Sequence, residues 1–258
     1  VLDHLVPQVS GYVIYEGPSV LDDAPIVMIA TDGSSNRKTG DMIQTWILRS
    51  DVKPMEAVKD GRDASICGEC KHRGELGKGR SCYVTVHQAP NSVFAAYKRG
   101  VYAPFPGPHV FLGRKIRLGA YGDPAAVPYD VLFSLTRGSI GWTGYTHAWK
   151  RADPRLRHLC MASCDSVEEH LHAAGRGWRV FRTRLPEERD TPRLDGEALC
   201  PASEEAGHKL TCEQCMACGG VGLHGRRGHI VISAHGSTGI VANYKRNFGS
   251  IPIVAEAS

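Results

Sequence analysis

The stretch KIRLGAYGDPAAVPYDVLFSLTRGSIGWTGYTH, residues 115–147, decides the fold class. It opens with an apolar strand-like run, 115–121, that stops in the turn Gly122-Asp123-Pro124. A helical run, PYDVLFSLTRG, follows, and then a second strand, SIGWTGYTH, 139–147. The same alternation continues downstream. HLCMASCDS (158–166) reads as a strand, and SVEEHLHAAGRG as a helix capped by Ser166 with Glu168 and Glu169 in its first turn. GWRVFRTR (177–184) and HIVISAHG (229–236) read as two more strands. Upstream, APIVMIAT (24–31) and MIQTWILR (42–49) are strand-like. APNSVFAAYKRG is a helix, with Asn91 or Ser92 as its cap and Gly100 as its stop. Strands separated by helices return the chain to the same edge, so the strands run parallel. The expectation is a single α/β domain over 1–258, with the strands in a full or partial parallel (β/α) barrel.

In such sheets the chemistry collects where the strands end. Here those ends carry Asp123, His147, Asp165 and Arg182, which are the candidate catalytic residues. Asp123 stands in a tight turn directly after an apolar strand. His147 would act as an acid–base or orienting group. The plainer alternative is that each residue ties down a loop. The Asp165-Ser166 pair opens a helix and would serve as its cap.

The nine cysteines fall into two groups plus a pair. Cys67 and Cys70 form a CxxC that is followed, after eleven residues, by Cys82-Tyr83, within a Gly- and Lys-rich insertion loop over 62–83. Cys200 is followed, after eleven residues, by Cys212-Glu-Gln-Cys215-Met-Ala-Cys218, in a segment spanning 200–220. An odd count with CxxC spacing argues for metal over a disulfide framework. The four-cysteine set is complete in itself, and its CxxCxxC run matches either a [4Fe–4S] cluster or a Zn²⁺ site. The three-cysteine set lacks a fourth ligand. His72, His87 or a residue far away in sequence would supply it, or the position stays open for a substrate. His208, His224 and His229 are reserve ligands near the later group. Cys160 and Cys164 lie in an apolar run and read as buried small hydrophobes.

Composition bounds the remaining classes. The chain has 258 residues, 42% hydrophobic and 22% charged, with a net charge of +4. It is globular, with no run of 18 apolar residues and no visible signal peptide. The expectation is a cytoplasmic protein with no membrane partner. The mild basic balance favours an anionic partner such as nucleic acid. Oligomeric state is not legible.

The order strand, cysteine loop closing on Cys-Tyr, helix, and strand ending in Gly-Asp-Pro resembles the front half of radical S-adenosylmethionine enzymes. The resemblance implies that Cys67, Cys70 and Cys82 hold a [4Fe–4S] cluster. It implies that Gly122, Asp123 and Pro124 stand where the amino group of S-adenosylmethionine is bound, and that Cys200, Cys212, Cys215 and Cys218 hold an auxiliary cluster. The family pattern is CxxxCxxC with Gly-Gly-Glu-Pro. This chain has CxxC with a later Cys, and Asp in place of Glu. Residues 33–236 also resemble uncharacterised Cys-rich proteins of bacteriophages and mobile elements, through RLGAYGDP, TGYTHAW, MAS.DS and CPAS…CxxCxxCGG. That likeness implies a bacterial host and modification of nucleic acid or of a nucleobase-like small molecule. The tRNA-guanine transglycosylases, another barrel family, offer a second plan. It has a late structural zinc and aspartates as nucleophile and base, for which Asp123 and Asp165 would stand. A third class is a non-catalytic nucleic-acid-binding protein stapled by metal, with HAWKRADPRLRH and WRVFRTR as its basic, aromatic stretches.

Overall fold

The computed structural model describes residues 10–33, 36–74, 79–224 and 228–249, except for the side chains of 223 and 224. The reserve ligand His224 therefore has its side chain outside the described residues, as does the middle of the first cysteine loop, 75–78.

The elements, in chain order, are β1 (Gly11–Pro18), β2 (Pro25–Thr31), β3 (Ile43–Arg49), α1 (Pro54–Asp60), α2 (Ala64–Cys67), α3 (Ala89–Lys98), β4 (Ala103–Pro104), β5 (Lys115–Tyr121), α4 (Tyr129–Thr136), β6 (Gly141–Thr146), β7 (Met161–Cys164), α5 (Val167–Gly175), β8 (Val180–Arg184), β9 (Glu197–Leu199), α6 (Cys212–Cys215), α7 (Gly220–His224), β10 (His229–Ser233) and α8 (Thr238–Phe248). The strands form one mixed sheet in the order β4-β1-β2-β3-β5-β6-β7-β8-β10-β9. From β3 onward every neighbouring pair is parallel. The fold is α/β, as the strand–helix alternation implies.

Two features were not legible in that alternation. The front of the sheet is antiparallel, β1 against β2 and β2 against β3. The chain between β2 and β3 is a turn-rich loop with no helix described in it, so it returns on itself instead of crossing over. The sheet also has two ends, β4 and β9. No pairing between them closes the ladder among the described residues.

Burial explains the placement of the strands. In β3 (IQTWILR) every residue is buried, and in β2 all residues but the two ends. Strands covered on both faces read as continuous apolar runs. In β5 burial alternates over its first residues, the period-two pattern of a strand with unequal faces. The main core runs from Ile26 to Val180 and contains Cys160 and Cys164, which are fully buried and pack as small apolar groups. A smaller cluster gathers Met161, Ile230 and Ile232 with Cys200 and Cys218.

The helix boundaries show one correction. α3 begins at Ala89, ahead of Asn91 and Ser92, with Gln88 in the cap position and no side-chain cap. Pro90 in the first turn fixes the backbone for helix entry and has no N–H to satisfy, which allows the earlier start. Ser166 caps α5 as expected, its hydroxyl accepting from the Glu169 N–H at 3.1 Å. The helix α8 lay outside the expected elements. Its Ile240, Tyr244 and Phe248 recur at helical spacing, and Tyr244 is buried. No helix among the described residues is long and apolar enough to cross a membrane.

Candidate functional site

Because β3, β5, β6, β7 and β8 are parallel, their C-terminal ends share one rim. Gly122 makes the turn at the end of β5. Its φ is +80°, and an added Cβ would lie 2.7 Å from both Cβ and the carbonyl oxygen of Ile47. Only glycine meets both demands. Asp123 follows and is buried. Its N–H donates to the Ile66 carbonyl at 2.6 Å. One carboxylate oxygen accepts from Ala125 N–H at 2.9 Å and the other from His147 N–H at 2.8 Å. Asp123 therefore ties three segments together: the turn after β5, the end of β6, and the α2 helix that carries Cys67.

His147, His72 and Asp165 meet beside this tie. A nitrogen or oxygen from each lies within 4.8 Å of those of the other two. His72 Nε2 is 3.1 Å from Asp165 Oδ1, and His72 Nδ1 is 2.9 Å from the Ser81 hydroxyl. The His72 and His147 rings meet edge to face at 5.1 Å. Tyr244 and Phe248 of α8 lie over His72 at 5.7 and 4.8 Å. The Tyr244 hydroxyl donates to the Thr183 carbonyl at 2.9 Å and reaches Asp165 Oδ1 at 3.4 Å. Burial on its own would raise the Asp165 pKa. The hydrogen bond from His72 and the charges of His72, His147 and Lys71 outweigh it and hold the carboxyl below its usual range.

The first cysteine loop leaves the same rim. Burial pushes the Cys67, Cys70 and Cys82 thiols up. Cys67 is raised further by Cys70 and Cys82, so the three feel one another's charge. Cys70 also senses His72, Asp123 and Asp165. A bound cation removes exactly this penalty, because a coordinated thiol is deprotonated outright. Buried polar atoms around the loop with no hydrogen-bond partner among the described residues include Arg80 Nε, Tyr121 Oη and Asp63 Oδ2. Arg80 and Tyr121 lie within electrostatic reach of Cys67 and Cys82. Such donors fit a metal–sulfur centre, whose sulfurs accept hydrogen bonds. His72 turns its ring nitrogens to Ser81 and Asp165, and His87 is exposed. Tyr83 extends the loop across the rim: its ring stacks on His235 at 4.8 Å, and its hydroxyl accepts from His235 N–H at 3.1 Å.

The second group packs on the sheet through Tyr145, Met161, Phe181 and Ile230. Thr211 and Gln214 cap α6 reciprocally at 3.2 and 2.9 Å. Met216, at φ 50°, then reverses the chain so that Cys218 comes back to the sheet. Gly144 N–H donates to the Cys218 carbonyl at 3.0 Å. Cys200, Cys212, Cys215 and Cys218 line one cavity together with Thr143 and Tyr145. Burial raises Cys200, Cys212 and Cys218. Arg117 and Lys38 oppose the rise at Cys212, and Tyr145 opposes it at Cys218 by a hydrogen bond. Among the described residues, the one His/Cys/Asp/Glu set with three ligand atoms mutually within 4.8 Å is the His72–His147–Asp165 set. No three of the described cysteine sulfurs lie mutually within 4.8 Å.

Arg182 sits apart from this chemistry. Its guanidinium makes a two-pronged pair with Glu197 of β9, at 2.7 and 2.8 Å, and both partners are buried. His170 adds a 3.1 Å contact to the same carboxylate. His229 lies against this network, its ring 4.6 Å from that of His170. His208 bonds the Ala202 carbonyl at 3.1 Å. Tyr244, Ser81, Arg80 and Tyr121 were not among the sequence candidates. Only Tyr244 carried a signal, its helical spacing with Phe248.

No family model, curated protein or solved structure matches the chain.

Proposed function

We propose that the protein is an iron–sulfur enzyme of radical S-adenosylmethionine type, acting on a nucleobase or nucleic acid, with the sheet as a partial barrel. The observation that carries this reading is the hydrogen bond from Asp123 N–H to the Ile66 carbonyl, 2.6 Å. It joins the Gly-Asp-Pro turn at the end of one parallel strand to the helix bearing Cys67, which follows the preceding parallel strand. Strand order supports the partial barrel. β3, β5, β6, β7, β8 and β10 are spatial neighbours in chain order, without the reversal of a doubly wound sheet.

On this reading Cys67, Cys70 and Cys82 hold a [4Fe–4S] cluster, and Gly122, Asp123 and Pro124 form the turn that receives the amino group of S-adenosylmethionine. Such a cluster supplies an electron at low potential. Asp123 keeps the turn and the cluster loop in register. Arg80 and Tyr121 donate toward the sulfurs. Cys200, Cys212, Cys215 and Cys218, which line one cavity, hold the second centre. The transglycosylase plan is less well supported, because both carboxylate oxygens of Asp123 already accept backbone N–H groups. The net charge of +4 favours an anionic substrate.

The test is anaerobic purification with iron, sulfide and zinc analysis. The expected result is a brown protein absorbing at roughly 400 nm. The triple Cys67→Ala, Cys70→Ala, Cys82→Ala variant should lose about half of the iron, by cluster count. Colourless protein with stoichiometric zinc in both cysteine groups would sink the reading.

A further inference from the structure

We propose that His72, His147 and Asp165 bind one divalent transition-metal ion, in a site separate from both cysteine groups. Two imidazoles and one carboxylate suit iron(II), zinc or cobalt(II) and are a poor set for calcium or magnesium, which take oxygen ligands. The three donors come from three different segments: the loop after Cys70, the end of β6 and the end of β7. They converge within 4.8 Å of one another. Donors held about 2.1 Å from one ion stand roughly 3.0–3.4 Å apart in octahedral or tetrahedral arrangement. The His72–Asp165 separation, 3.1 Å, already has that value.

Two further observations distinguish the cluster from an ordinary His–Asp pair. His147 Nε2 is buried and has no hydrogen-bond partner among the described residues. A buried imidazole nitrogen left unpaired costs free energy, and a metal bond removes that cost. The surroundings are also those of a ligand. Ser81 engages His72 Nδ1 at 2.9 Å, which turns Nε2 toward Asp165. The Tyr244 hydroxyl lies 3.4 Å from Asp165 Oδ1, and the Tyr244 and Phe248 rings wall one side. Three protein donors leave coordination positions for water or substrate. Since none of the three is a thiolate, the site stands whether or not the cysteine groups carry clusters.

The experiment titrates the anaerobically purified full chain, with its cysteine centres as isolated, with cobalt(II). Visible spectra and calorimetry are recorded, and iron and sulfide are measured on the same sample. We expect one cobalt per chain, with d–d bands and no thiolate-to-cobalt charge-transfer band. His147→Ala and Asp165→Ala should each weaken binding at least about tenfold. Ser81→Ala, which keeps all three donors, should weaken it by about tenfold through the freed His72 ring. Circular dichroism confirms that each variant is folded. If folded His147→Ala and Asp165→Ala bind cobalt as the parent does, the proposal is wrong. It is equally wrong if the only cobalt bound shows thiolate charge transfer, or if none binds, which would leave a hydrogen-bonded His–Asp pair. A colourless, iron-free sample would instead refute the cluster reading and leave the cobalt result to stand by itself.

Discussion

Asp123→Ala tests whether one buried carboxylate joins the turn after β5 to the end of β6. The substitution removes two acceptors, at 2.9 Å from Ala125 N–H and 2.8 Å from His147 N–H. A hydrogen bond to a charged group contributes about 1.5–3 kcal/mol. Asp123 is 7% exposed, so the freed Ala125 N–H finds little water, whereas the His147 N–H is only partly buried. Taking the middle of the range for the first and the bottom for the second gives a loss of about 3.5–4 kcal/mol. Asp123→Asn retains one acceptor and turns an amide N–H2 toward a backbone donor, so about 1.5–3 kcal/mol should be lost. The assay is equilibrium urea unfolding without oxygen, with midpoint and slope fitted separately. On the iron–sulfur reading, the same variants should lose iron from the first centre before the second, because a turn freed from His147 holds Ile66 less firmly through the remaining Asp123 N–H. Destabilisation of Asp123→Ala below about 0.5 kcal/mol, the scale of a surface substitution, would refute the reasoning.

Gly122→Ala combines a left-handed backbone with a Cβ 2.7 Å from Ile47, so it should cost about 2–4 kcal/mol in the same unfolding assay. Arg182→Leu strands a buried Glu197 and should cost about 3–5 kcal/mol. Burial would raise Glu197, but the Arg182 and His170 contacts outweigh it and hold its carboxyl far below the usual range. A depressed folded pKa gives stability that is present above the unfolded value of about 4.3 and lost as pH falls below it. Unfolding measured from pH 6 down to pH 3 should therefore show a loss of stability that is smaller in Arg182→Leu.

Local periodicity was enough for the α/β class and for the strands around 115–121, 139–147, 158–166, 177–184 and 229–236. Each carries its apolar pattern within a few consecutive residues, and the helices between them force parallel return. Cys200, Cys212, Cys215 and Cys218 line one cavity for a similar reason, since CxxC spacing constrains the chain over one turn. The pairing of β1 with β2 and the outer position of β9 were not legible. They depend on hydrogen bonds between segments whose sequences do not name their partners. The joining of His72 to Asp165 across 93 residues was equally hidden. His72 sits beside Cys70 in sequence and reads as its ligand. Only the tertiary fold, which brings α8 over the rim and Ser81 behind the imidazole, turns that ring toward the end of β7. Arg182 shows the converse. Its place at a strand end marked it for the rim, but β9 lies on the far side of β10 and carries Glu197 inward, where a buried guanidinium needs a carboxylate more than the rim needs a cation.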